Sequence, residues 1–173
     1  MSNLAIIVAP DPLLKRRAEP VARVDREVRR LMESMLETMH AAHGIGLAAP
    51  QVGVLRRVIV VDISQPDEPA NPYRMANPEV VWRSPELVSG EEGCLSLPEQ
   101  FGEVTRPAAV RVRYLDQDGE ARELDAQGLL AKCLQHEIDH LEGVLFVDHV
   151  SSLKRNIILR RLAKAKKLSA AAE

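Results

Sequence analysis

Aromatic residues are scarce in this 173-residue chain: two Phe, two Tyr and one Trp make up 3% of it. With so few stacking platforms and a formal net charge of -2, there is neither the surface nor the field that base-reading or DNA binding requires. The overall charge selects no particular partner. Long apolar runs are absent as well; none approaches the 18 residues of a membrane span. The opening segment, Met1 to Pro10, lacks a basic stretch followed by a long apolar one. A soluble, cytoplasmic protein with no targeting segment and no membrane association is expected. There are only two cysteines, Cys94 and Cys133, and in that compartment they should be reduced thiols rather than a disulfide. Repeats, low-complexity tracts and domain linkers are also missing. The proline-bearing stretch Gln65 to Pro72 is too short, and its flanks too similar, to mark a boundary. At 46% hydrophobic content the chain can bury a core of its own, so residues 1–173 are expected to form a single domain.

What is present alternates between helix and strand patterns. Asp11 to Pro20, with a proline near each end and the basic run Lys15-Arg16-Arg17, reads as a surface loop. From Asp25, a suitable N-cap, Val28, Leu31, Met32, Met35 and Met39 recur at helical spacing up to Gly44, which supplies a stop. The methionines at this spacing point to core packing. Gly44-Ile45-Gly46-Leu47-Ala48-Ala49-Pro50-Gln51 follows, either as a tight helix-to-strand turn or as a place where a ligand approaches the main chain. It is no dinucleotide fingerprint, because the third glycine is missing and no strand precedes it. Val58 to Ile63 is β-branched and predicts a buried strand, with shorter strand pieces at Tyr73 to Ala76 and Glu79 to Trp82. Val110, Val112 and Tyr114 alternate with polar residues, Asp118-Gly119 turns, and Arg122 to Asp125 returns as a hairpin. The order is that of an α+β fold.

A helix from about Gln127 or Gly128 to Leu141, closed by Gly143, carries the sequence His136-Glu137-Ile138-Asp139-His140. In this H-E-x-x-H arrangement the two histidines at i and i+4 stack on one helical face, so both imidazoles reach one metal ion while Glu137 stands beside it. Leu129 and Cys133 lead into them along the same stripe. Three ionisable side chains buried on one turn are costly without a cation, which favours a metal over a satisfied core.

Two imidazoles need a further ligand, and its identity sets the class of protein. A metzincin protease would place a third histidine where Phe146 stands; His149, Asp148 or Glu142 could serve a zinc endopeptidase of irregular spacing. Cys94, in Glu91-Glu92-Gly93-Cys94-Leu95-Ser96-Leu97-Pro98, is the better candidate. Cys133 is the rival: together with Cys94 it would close a tetrahedral structural site, which would leave Glu137 without a task. A hydrolase, an endopeptidase and a structural metal module are therefore the three classes in play.

Read together, Gly44 to Gln51 (G-x-G-x-A-A-x-Q), Glu92 to Ser96 (E-G-C-x-S) and Gln135 to His140 (Q-H-E-x-D-H) resemble the peptide deformylases, over nearly the whole chain. The resemblance implies mixed and antiparallel sheets around a central H-E-x-x-H helix, a C-terminal helix, and a single catalytic domain that removes the N-formyl group from the initiator methionine of new polypeptides. It implies Cys94, His136 and His140 as metal ligands, with Fe(II) the usual ion and zinc, nickel or cobalt able to replace it. Glu137 would be the general base and then acid, and Gln51 and the backbone N–H of Leu95 would meet the oxyanion. Gly46 would pair with an extended peptide, and Ile45, Leu129 and Cys133 would line the methionine pocket. His43 and Phe101 depart from the acidic and basic residues that some members carry. From Ser151 onward seven basic residues surround Leu153, Ile157, Ile158, Leu162 and Ala165. That segment is either a solvated helix or, by resemblance, a ribosome-docking one.

Overall fold

Helix α1, Arg26–Ala41, begins where the Asp25 carboxylate accepts a hydrogen bond from the Val28 N–H at 3.0 Å, so the sequence-level cap is the real one. The computed structural model describes residues 3–172. After α1 come β1 (Gly46–Ala48), β2 (Val58–Val61), β3 (Tyr73–Arg83), β4 (Leu87–Cys94), β5 (Leu97–Pro107), β6 (Ala109–Leu115) and β7 (Ala121–Gln127). Helices α2 (Gly128–Leu141) and α3 (Ser152–Ala172) follow, and short 3₁₀ turns occupy Pro12–Lys15, Ala49–Val52 and Phe146–His149. Among the described residues no helix is long and apolar enough to cross a membrane.

Strands β1-β2-β3-β6-β7 form one sheet in that order, and β4-β5 form a second. Every strand pair is antiparallel, and the parallel pairing is an isolated bridge between Glu19 and Arg56. Strand β2 explains its own composition. Val58 and Val60 pack with Met32, Met35 and Met39 of α1, whereas Ile59 and Val61 pack with Ala131, Leu134 and Leu141 of α2. A strand covered on both faces has no solvent side, so its sequence carries no alternation. The sheet thus lies between α1 and α2, and the second helix is held against it by burial along one stripe. The α1 methionines are core residues, each fully buried.

Several expectations are corrected. The pieces Tyr73 to Ala76 and Glu79 to Trp82 are one strand, β3, interrupted by a register shift between Ala76 and Glu79. Asn77 takes a left-handed conformation there (φ 50°), and its side chain exchanges two 2.9 Å hydrogen bonds with the backbone of Val21. Helix α1 is stopped by His43, not Gly44: His43 holds the positive φ of 59°, and the Gly44 N–H closes back on the Met39 carbonyl. Asp11 to Pro20 is more than a surface loop, since it includes the 3₁₀ turn Pro12–Lys15 and buries Leu14 and Ala18. In α3 only Ile158 and Leu162 of the expected apolar side are buried; Leu153, Ile157 and Ala165 face solvent. The β4-β5 hairpin lacks a clear signature in the sequence. Its turn is Leu95-Ser96 rather than a glycine pair, and its strands carry Gly90, Gly93 and Gly102 where packing residues would be looked for.

Candidate metal centre

Three segments meet over the middle of α2. The helix supplies His136, Glu137 and His140, all buried, with the two imidazole centroids 5.1 Å apart. The end of β4 supplies Cys94, whose Sγ lies 3.4 Å from Nε2 of His140. One donor atom from each of Cys94, His136 and His140 falls within 4.8 Å of the others. The 3₁₀ turn after β1 supplies Gln51. Its Oε1 accepts from the Ala48 N–H at 2.9 Å, which turns Nε2 toward Ser96 Oγ (3.1 Å) and Cys94 Sγ (3.5 Å). The Gln51 amide is thereby oriented at the cluster by the main chain of Ala48, three residues before it.

Sequence reasoning assigned no task to Glu92, although it stands in the same motif as Cys94. Glu92 Oε1 accepts from His136 Nδ1 at 3.0 Å, leaving Nε2 of that ring for the cluster. Both Glu92 oxygens also accept from Arg106, at 2.6 and 2.9 Å, and Arg106 reaches on to Asp139 at 2.9 Å. Burial opposes the charge on Glu92, but hydrogen bonds from His136 and Arg106 and the guanidinium charge outweigh it and take its pKa down to about 2. Removing one member of such a buried pair strands the other. Glu92→Ala should therefore cost about 3 kcal/mol, the low end for a broken buried pair because Asp139 still faces Arg106. Thermal unfolding of the variant should fall by roughly 10 °C; an unchanged midpoint would show that Asp139 alone compensates Arg106.

Glu137 is the opposite case. Burial is the main cause that pushes its carboxyl up to about 7, with the His136 charge acting against it, and its Oε1 makes no hydrogen bond to the described residues. Cys133 stands apart from the cluster. Its thiol lies 3.6 Å from the Ile45 carbonyl, and burial pushes its pKa well up, so it remains protonated and lines a wall. His149 and Asp148 are engaged elsewhere, His149 with Asp139 at 2.9 Å and Asp148 with Lys15 and Arg155.

A cleft of about 580 Å³ opens onto this floor, lined by Ile45, Gly46, Leu95, Leu129, Cys133 and Glu137 among others. Ile45, Phe101 and Leu129 are large apolar side chains left exposed along it, as expected where an apolar ligand enters. Strand β1 ends its sheet, with β2 as its sole strand partner among the described residues, and the Ala48 N–H on its outer side is taken by Gln51.

The polypeptide deformylase family model matches residues 3–156. This chain belongs to that family. The peptide deformylase of Methylocella silvestris is 59% identical over 168 residues, covering 95% of this chain and 86% of the relative. That of Phenylobacterium zucineum is 54% identical, covering 95% and 97%. Among solved structures, the crystal structure of peptide deformylase from Ehrlichia chaffeensis superposes with a TM-score of 0.93 at 40% identity, covering 98% of this chain and 99% of that one. The family is metal-dependent, and among the described residues Cys94 of β4 with His136 and His140 of α2 is where side chains able to hold a metal come together.

Proposed function

We propose that residues 1–173 act as one catalytic domain that hydrolyses the N-formyl group from the N-terminal formyl-methionine of newly synthesised polypeptides, releasing formate. The observation that carries this reading is the cluster of half-buried Cys94 with buried His136 and His140, and Glu137 beside it, at the floor of an apolar cleft. A thiolate and two imidazoles fit a divalent cation. The 3.4 Å between Cys94 Sγ and His140 Nε2 is close to the roughly 3.6 Å expected for sulfur and nitrogen sharing one tetrahedral ion. When bound, such an ion polarises the formyl carbonyl and makes hydroxide accessible near neutral pH.

The chain's own groups account for the rest. The peptide pairs with the Gly46 main chain at the outer side of β1, and Ile45, Leu129 and Cys133 receive the methionine side chain. Glu137 takes the proton of the attacking water and passes it to the departing amine. Gln51 Nε2 and the Leu95 N–H stabilise the oxyanion, and Glu92 holds the His136 ring in place. The first test is formate release from a formyl-methionyl tripeptide by metal-loaded protein. Failure to release formate while a full equivalent of metal is bound would overturn the reading.

Fe(II) is the ion proposed here, with Zn(II), Ni(II) or Co(II) able to take the same ligands. A ferrous ion beside a thiolate is open to oxidation. Protein purified in air should therefore lose activity while keeping its fold, and equal persistence with and without oxygen would count against iron.

The α3 helix carries Arg160, Lys164 and Lys167 exposed to solvent, a stripe suited to RNA, and we assign it to docking on the ribosome near emerging chains. Neutralising those three residues should weaken ribosome binding, measured by co-sedimentation, and leave tripeptide deformylation intact. Undiminished co-sedimentation would remove the assignment.

A further inference from the structure

The metal cleft does not end at the methionine pocket. Between Gly93 and Cys94 the pairing of β4 with β5 jumps from Phe101 to Leu97, so Pro98, Glu99 and Gln100 bulge out of the hairpin. Glu99 and Phe101 line the metal cleft on one side of this bulge and a second groove of about 440 Å³ on the other. That second groove runs between β5 and α3. Leu153 and Ile157, one helical turn apart, form its apolar side, with Lys154 and Arg161 at the rim. Leu153 is 74% exposed, Phe101 55% and Ile157 38%. The fold's own core leaves these three uncovered, although the neighbouring Ile158 and Leu162 are buried against Phe146 and Val104.

We propose that this groove receives the downstream part of the substrate polypeptide, beyond its first three residues, and prefers an apolar side chain next to an acidic one. The inference rests on the deformylase reading, because it needs a peptide that leaves the cleft over Phe101. Continuity decides the occupant: a chain with its amino end at the metal cluster meets Glu99 and Phe101 on its way out, and the same two residues begin the groove. Phe101 serves as the shelf between them, its ring lying over Gly93, where an added Cβ would stand 2.7 Å from the ring. The apolar side calls for Leu, Ile or Phe in the peptide, and the Lys154 and Arg161 rim for Asp or Glu beside it. An extended octapeptide spans about 26 Å, several residues beyond a tripeptide's reach.

The test compares three substrates with the metal-loaded full chain: a formyl-methionyl tripeptide and two octapeptides that begin with the same three residues. One octapeptide continues with alternating Leu and Asp, the other with Ser and Gly. The Leu/Asp octapeptide should show kcat/KM about fivefold above the other two, the size expected from covering one or two half-exposed apolar side chains. Leu153→Asp and Ile157→Asp change solvent-facing positions outside the cleft. Each should abolish that gain and leave the tripeptide rate at the parental value. Equal kcat/KM for all three substrates, or a gain that survives both substitutions, overturns the groove while the deformylase reading stands. No formate from the tripeptide overturns the deformylase reading itself, and the groove with it.

Discussion

Glu137→Gln should lower kcat/KM for formate release by about 10²–10⁴-fold, the range of a lost general acid–base group, with folding and metal content unchanged. The amide keeps the shape of the side chain and removes its ability to take a proton. Glu137 is the residue to watch because it is buried beside the cluster, with one oxygen making no hydrogen bond to the described residues. Burial, the main cause, raises its pKa against the opposing charge of His136 to about 7, near the working range. A base must be ionised, so parental activity should rise with pH and level off once the carboxylate form dominates. A bound cation moves that acid limb below pH 7, since positive charge favours the carboxylate. The glutamine variant should lack the limb. Parental rates from Glu137→Gln would take the residue out of the chemistry; metal-loaded protein that releases no formate in either form would point to a non-catalytic site.

Gly46→Ala is expected to reduce activity by roughly 100-fold, a loss of the size that misplacing a catalytic group by about an ångström produces. A Cβ at Gly46 would stand 2.5 Å from Glu137 Oε2 and 2.8 Å from Cys133 Sγ. Neither distance is tolerable, so either the Glu137 carboxylate swings aside or β1 separates from α2. Overpacking of this kind also costs about 1–3 kcal/mol of stability. The two routes separate experimentally. If the carboxylate moves, the melting temperature changes little and activity falls; if β1 moves, both fall together. Full activity in Gly46→Ala would show that the strand–helix contact is looser than the structure has it. Gly46 has an ordinary negative φ, so what this glycine contributes is the absence of a side chain and not a special backbone conformation.

That glycine marks the limit of what could be read from residues in order. The H-E-x-x-H spacing is a local matter: helical geometry alone puts His136 and His140 on one face, and the helix was legible because its start, stripe and Gly143 stop are all local signals. Helix α1 with its Asp25 cap, and the Asp118-Gly119 hairpin, were legible for the same reason. The β4-β5 hairpin was not. Its strands carry Gly90, Gly93 and Gly102 and turn through Leu95-Ser96, so local propensity points away from the structure they adopt. The roles of Glu92 and Arg106 were hidden too. One lies beside Cys94 and the other fourteen residues later, and nothing in spacing says that β5 brings the guanidinium under the carboxylate that holds His136.

The sequence by itself determined the class of chemistry, because two histidines and a glutamate on one helical turn, joined to the Cys94 and Gln51 motifs, are a pattern of residue types at fixed spacing. Which thiol joins the histidines was decided by tertiary structure. Cys133 shares their helix and Cys94 does not, yet it is Cys94 Sγ that stands 3.4 Å from His140, while Cys133 is turned to the Ile45 carbonyl. Helical periodicity places residues on a face. Only the tertiary structure brings Cys94, at the end of β4 in the second sheet, to that face.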